Sequence, residues 1–173
     1  VLPPLAPAQV DHECELAVVI GTSGKDIDPE DAWGHVAGLT MANDVSARDV
    51  QAQAMTSPIF ELSHCKGFDS FKPMGPVLVT PDEVGTDPLD LEISCSVEGT
   101  EHQRARTTDL IFDIPACIAH VSRYVSLAPG DVILTGSPAG VGFFQGRFLT
   151  AGQVVEVTGD GIGTLRNTCT TQS

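Results

Sequence analysis

Positive charge is scarce in this chain: nine Lys and Arg stand against 23 Asp and Glu, a formal net charge of −14 over 173 residues. Such a field repels nucleic-acid phosphates and anionic membrane surfaces and argues against both as partners. If the ligand is a small anion, positive charge must be gathered locally to reverse the sign. No apolar run approaches the roughly eighteen residues of a membrane span. The start, Val1-Leu2-Pro3-Pro4-Leu5-Ala6-Pro7, lacks a basic n-region and is too rich in proline for a signal peptide. It also lacks an initial Met, from which we expect that sequence upstream is missing. There is no Cys-x-x-Cys pair, and the five cysteines, at 14, 65, 95, 117 and 169, are an odd set. They suit reduced thiols in a cytoplasmic protein and give no support to a disulfide framework or a soft-metal site. With no internal repeat, linker or low-complexity segment, residues 1–173 are expected to form a single domain. A chain of this length buries roughly 70% of its unfolded surface without a disulfide staple.

What the chain does have is acid in a telling place. Glu13 and Glu15 open the run Glu13-Cys14-Glu15-Leu16-Ala17-Val18-Val19-Ile20-Gly21, whose apolar, β-branched part reads as a buried strand. Side chains two apart on a strand share a face, roughly 6 to 7 Å from each other. Asp44 follows in Asn43-Asp44-Val45-Ser46-Ala47-Arg48-Asp49. Three carboxylates with no partnering Cys or His pair make an all-oxygen set, suited to Mg²⁺ or Mn²⁺, with Ca²⁺ possible, rather than Zn²⁺. A bare Glu-x-Glu is more simply an acidic strand end, so its neighbours decide. Lys66, in Cys65-Lys66-Gly67-Phe68-Asp69, is placed to offset an anion. Arg48 and Gln51, just past Asp44, could read a carboxylate.

The pattern Asp28-Pro29-Glu30-Asp31 predicts an N-cap and a short helix over 29–37. A second helix is expected over Ser46–Met55. The best amphipathic helix follows Asp113, with Ile114, Cys117, Ile118, Val121 and Val125 on one side. Leu89, Leu91, Ile93, Cys95 and Val97 alternate with polar residues as a half-buried strand, and Glu98-Gly99-Thr100-Glu101 reads as a hairpin turn. Residues 77–79, 132–134, 154–157 and 164–166 are further short strands. The fold class is α+β, predominantly β, with a few short helices.

The stretch Leu134-Thr135-Gly136-Ser137-Pro138-Ala139-Gly140-Val141-Gly142 is a strand end opening into a glycine-rich loop able to hold a carboxylate. It is not a nucleophile elbow: Ser137 directly follows Gly136, and Pro138 lacks the N–H that would stabilise an oxyanion. Gly159-Asp160-Gly161-Ile162-Gly163 misses the spacing of a nucleotide loop and reads as a hairpin turn.

Taken together, these segments, with Pro73-Met74-Gly75-Pro76, Pro129-Gly130-Asp131 and Gly161-Ile162-Gly163-Thr164-Leu165-Arg166-Asn167, resemble the C-terminal catalytic domain of the fumarylacetoacetate hydrolase family along nearly the whole chain. The resemblance implies a mixed β-roll or sandwich core and a homodimer. It implies Mg²⁺ or Mn²⁺ on Glu13, Glu15 and Asp44, and contacts to a small anionic keto acid from Arg48, Gln51, Lys66 and the Ser137 hydroxyl. Many members carry a water-activating His-x-x-Glu pair upstream of the first metal ligand, and this chain starts too late to contain one. None of the five histidines replaces it obviously. Alternation turns His12 away from Glu13, and His64 is the least implausible substitute.

The expected reaction is metal-dependent hydrolysis of a carbon–carbon bond in an acylpyruvate or related β-diketo acid, through a metal-stabilised enolate, with Lys66 as a catalytic cation. Alternatives on the same site are decarboxylation of an oxaloacetate-like substrate, which needs no activated water, and isomerisation of a keto-diacid. A non-catalytic, metal-stabilised scaffold is the rival of another class.

Overall fold

Alternation and β-branching dominate the sequence, and strands dominate the structure, a computed structural model that describes residues 9–57, 62–86 and 88–171. The proline-rich start lies outside these residues. In chain order the first elements are β1 (Val10–Asp11), β2 (Cys14–Ile20), a 3₁₀ helix (Pro29–His35), β3 (Val36–Asn43), β4 (Ser46–Ala47), α1 (Arg48–Thr56) and α2 (Ser63–Lys66). There follow β5 (Met74–Val79), α3 (Pro81–Val84), β6 (Glu92–Val97), β7 (Thr100–Arg106), a 3₁₀ turn (Thr107–Asp109) and α4 (Ile114–Ser122). The last are β8 (Val132–Leu134), a 3₁₀ turn (Gly142–Gln145), β9 (Val154–Gly159) and β10 (Gly163–Thr168).

Two four-stranded sheets form the body, ordered β5-β3-β2-β8 and β10-β9-β6-β7, with a small β1-β4 ladder beside them. Every pairing of these strands is antiparallel, so the mixture is one of strands with helices. The second sheet shows the expected one-sided burial: Ile93, Cys95 and Val97 of β6 and Val155 and Val157 of β9 face the core. There they belong to one cluster with Leu16, Val18, Leu39 and Met41 of the first sheet. Both hairpin turns are where the glycines predict. Glu98 and Gly99 join β6 to β7 with φ of 52° and 73°, the conformation a tight hairpin demands. Gly159 pairs with Gly163 at the end of the β9-β10 hairpin.

The helices come out shorter than their patterns suggest. The helix expected over 29–37 is a 3₁₀ helix that ends at His35, without a side-chain cap from Asp28, because Val36 and Ala37 are claimed by β3. The one expected from Ser46 begins at Arg48, since Ser46 and Ala47 pair with β1. α4 forms as predicted, capped by Asp113 Oδ1 accepting from the Ala116 N–H at 2.8 Å and burying Ile114 and Ile118. It packs on the 3₁₀ helix, but Val125 lies beyond its end and is exposed.

One register matters for function. Cys14 of β2 pairs with Asn43 of β3, so the residues just outside the ladder, Glu13 and Asp44, meet across the strand ends. The Asp44 N–H donates to the Glu13 carbonyl at 2.9 Å, and the Glu13 N–H to Asn43 Oδ1 at 3.0 Å.

Candidate metal centre

Strand alternation puts Glu13 and Glu15 on one face, and the β2-β3 register brings Asp44 to them. One carboxylate oxygen from each lies within 4.8 Å of the others. All three residues are buried or nearly so, which makes their charges costly unless compensated. Lys66 Nζ donates to Glu13 Oε2 at 2.7 Å and to Asp44 Oδ2 at 2.5 Å. Lys72 Nζ lies 2.5 Å from Asp44 Oδ1, outside hydrogen-bond alignment, so this buried oxygen has no hydrogen-bond donor among the described residues. Burial would push the Lys66 ammonium down, but its bonds to Asp44 and Glu13 prevail and hold it above the ordinary lysine value.

Glu15 is tied differently. Its Oε2 accepts from the Gly136 N–H at 2.7 Å, so the glycine-rich loop does hold a carboxylate, but one of this chain's own. Burial pushes the Glu15 carboxyl up to about 7, against the pull of the Gly136 bond, and the charges of Asp44 and Glu13 add to the rise.

Arg48 is buried and largely committed. Nε donates to Asp11 Oδ2 at 2.8 Å, one Nη to Glu13 Oε1 at 2.6 Å and the other to Gln51 Oε1 at 3.0 Å. Burial opposes its charge, but the bonds to Asp11 and Glu13 raise it above the ordinary arginine value. Asp11, fully buried, also accepts from the N–H groups of Gly142 at 2.7 Å and Phe143 at 3.0 Å. It thus couples Arg48 to the loop after Ser137.

These groups form one wall of an open cleft of about 380 Å³. Glu13, Arg48, Gln51 and Ser137 line its polar side, facing an apolar side that includes Met55, Phe143 and Phe144. Of the residues singled out from sequence, these four share the cleft, while Lys66 reaches Glu13 through the oxygen that Arg48 leaves free. Glu15 and Asp44 stand beside them. His12 points away, as alternation requires: its Nδ1 bonds Gln103 Oε1 at 3.0 Å and its Nε2 meets His102 Nδ1 at 2.8 Å. Burial lowers the pKa of both imidazoles. His64 sits in α2, two residues before the site's lysine.

Three participants escaped the sequence reading. Asp11 continues the Glu13 and Glu15 alternation by two residues, a signal available in the sequence. Lys72 and Gln103 have none, because only the tertiary fold brings them to Asp44 and Ser137.

A hard dication suits what is present. The donors are all oxygen, and like charges crowd Glu15. Four carboxylates, Asp11 included, stand against three cations, so a doubly charged ion would leave the cluster about +1 and attractive to an anion, reversing the global field.

Residues 1–170 match the family model described as fumarylacetoacetate (FAA) hydrolase C-terminal. The chain is 47% identical over 161 residues to oxaloacetate tautomerase fahd2, mitochondrial, of Xenopus laevis, covering 92% of this chain and 49% of that protein. It therefore spans about half the length of such curated relatives. The solved 5-carboxymethyl-2-hydroxymuconate delta-isomerase from Mycobacterium smegmatis superposes with a TM-score of 0.87 at 40% identity, covering 99% of this chain and 62% of that one. Fumarylpyruvate hydrolase from Pseudomonas aeruginosa, solved in complex with Mn²⁺ and pyruvate, does so with a TM-score of 0.88 at 30% identity, covering 98% and 69%. With the match running over nearly its whole length, the chain belongs to the fumarylacetoacetate hydrolase family.

Proposed function

We propose that the chain is a divalent-metal-dependent enzyme acting on small α-keto acids through their enolates. Within that class, its own residues best suit the proton shift of a keto–enol tautomerisation or a double-bond isomerisation. The observation that carries this is the gathering of Glu13, Glu15 and Asp44 within 4.8 Å beside Lys66, with Glu13 lining the cleft. A bound Mg²⁺ or Mn²⁺ would supply Lewis acidity that polarises the keto and carboxylate oxygens and lowers the cost of the enolate. Glu13, Glu15 and Asp44 would hold it. Lys66, kept protonated by its partners, is the acid that returns a proton to the enolate carbon, and it recovers one as the enol hydroxyl ionises. Gln51 accepts from Arg48 through its oxygen, which leaves its NH₂ to donate to the substrate carboxylate, alongside the Ser137 hydroxyl. A proton shift needs no activated water, and no histidine is among the cleft's described lining.

The hydrolysis that the sequence puts first is the second reading, and the Pseudomonas relative named a fumarylpyruvate hydrolase supports it. It requires a general base from beyond the residues described at the cleft. Decarboxylation of an oxaloacetate-like acid uses the same enolate. The reading includes one domain over residues 1–173, which the match over residues 1–170 supports, and a homodimer, which the exposed Ile111, Phe112 and Tyr124 support. The cytoplasmic expectation has only the free thiols behind it, and the Xenopus relative is named as mitochondrial.

The test is to follow the enol absorbance of oxaloacetate, and the loss of an acylpyruvate, with the chain and Mn²⁺. Accelerated enol–keto exchange abolished by a chelator is the expected result. Acylpyruvate cleavage without exchange would install the hydrolase reading. Oxalate binding with turnover of neither substrate would leave the scaffold.

A further inference from the structure

Behind the polar wall of the cleft, a hydrogen-bond chain runs from Ser137 through the protein to His102. Gln103, 1% exposed, anchors it. Its Oε1 accepts from the Cys14 N–H at 3.0 Å, and a backbone N–H can only donate. Its Nε2 donates to the Pro138 carbonyl at 2.8 Å, and a carbonyl can only accept. These two bonds fix the orientation of the amide.

The rest follows in order. Gln103 Oε1 also faces His12 Nδ1, which must therefore carry the proton, leaving His12 Nε2 to accept from His102 Nδ1. On the other side, Gln103 Nε2 donates to Ser137 Oγ at 2.8 Å. The serine oxygen is thereby an acceptor toward the interior, and its own proton is turned toward the cleft. The loop is seated closely enough to hold this arrangement: a Cβ on Gly140, whose φ is +111°, would meet the His102 carbonyl oxygen at 2.0 Å.

We propose that Gln103, oriented by Cys14 and backed by the His12–His102 pair, is a positioning residue that fixes the Ser137 hydroxyl as a donor to the bound acid. The inference rests on the proposed function, in which Ser137 touches that acid. Gln103 does not itself reach the cleft and acts only through the serine.

The experiment is a double-substitution cycle on the full chain, with Mn²⁺ binding and oxalate binding to the Mn²⁺-loaded protein read separately by calorimetry. Ser137→Ala is expected to weaken oxalate about tenfold, the scale of a hydrogen bond to a charged acceptor. Gln103→Leu should weaken it comparably in the parent and change it less than about twofold in the Ser137→Ala background, since residues acting as one unit are not additive. Mn²⁺ affinity should hold in all three. Gln103→Glu, which keeps the shape but removes the donor, carries the same expectation should Gln103→Leu fail to fold. Imidazole ¹⁵N spectra of the parent should show His12 protonated at Nδ1. Equal losses from Gln103→Leu in both backgrounds, or none in the parent, would overturn the positioning role while the keto-acid reading stands. A parent that binds no oxalate would overturn that reading, and the network with it.

Discussion

Gly136 donates its backbone N–H to Glu15 Oε2 at 2.7 Å, tying the acid of β2 to the loop that carries Ser137. An acid on a central strand and a loop that lines the cleft are thus held as one piece.

Replacing the charge at this junction should disarm the site without unfolding it. For Glu15→Gln we expect Mn²⁺ affinity and turnover to fall by more than about 100-fold, beyond the cost of losing an outer partner of a metal ligand. The far-ultraviolet circular dichroism should match the parent. Unchanged Mn²⁺ titration would remove Glu15 from the metal set.

Stability should depend on pH in a direction set by the same residue. Its folded carboxyl is raised from 4.5 to about 7, so between these values the metal-free folded chain holds a proton that the unfolded chain has released. The metal-free protein therefore loses this stabilisation as pH rises through that window, and keeps it fully below. Because a dication binds the ionised carboxylate, the gain in thermal midpoint from saturating Mn²⁺ should grow between about pH 5 and 7. A gain that shrinks over that range would contradict the assignment.

Lys66→Ala should separate cation from anion binding. The ammonium competes with a metal for Glu13 and Asp44, so Mn²⁺ should bind the variant at least as tightly. Oxalate, a planar dianion resembling the enolate of an α-keto acid, should bind the Mn²⁺-loaded variant about tenfold more weakly. Equal oxalate affinity would count against Lys66 as a substrate contact.

Asp11→Asn should cost about 3 kcal/mol, because it leaves the buried Arg48 guanidinium short of one of its two carboxylate partners. Urea unfolding measures this directly. A loss below about 1 kcal/mol would mean that Glu13 alone satisfies the arginine.

Much of this arrangement was legible in the sequence. The shared face of Glu13 and Glu15, the opposite orientation of His12, the alternation of β6 and both hairpin turns follow from a period of two and from glycine chemistry. β3 and β7 did not announce themselves. β3 lies between β5 and β2 with both faces covered, so Leu39 to Asn43 show no polar alternation. β7 is an edge strand whose Thr100-Glu101-His102-Gln103-Arg104 has no apolar face to read. The site was legible to the extent that its residues sit next to one another in the chain. Asp11 was within reach of the same argument, whereas Lys72 and Gln103 depend on which loops the two sheets bring together. Arg48 shows the limit of reasoning by residue type: a free cation for an anion in the sequence, it is largely committed to Asp11 and Glu13 in the fold.

The cleft's two sides differ in how they are built. The acids stand at the ends of hydrogen-bonded central strands, where a one-residue slip would scatter them, while Met55, Phe143 and Phe144 project from a helix end and a short turn. On the proposed function, exchanging bulk and polarity on the helix and turn would change which acid fits the cleft and leave the acid cluster untouched.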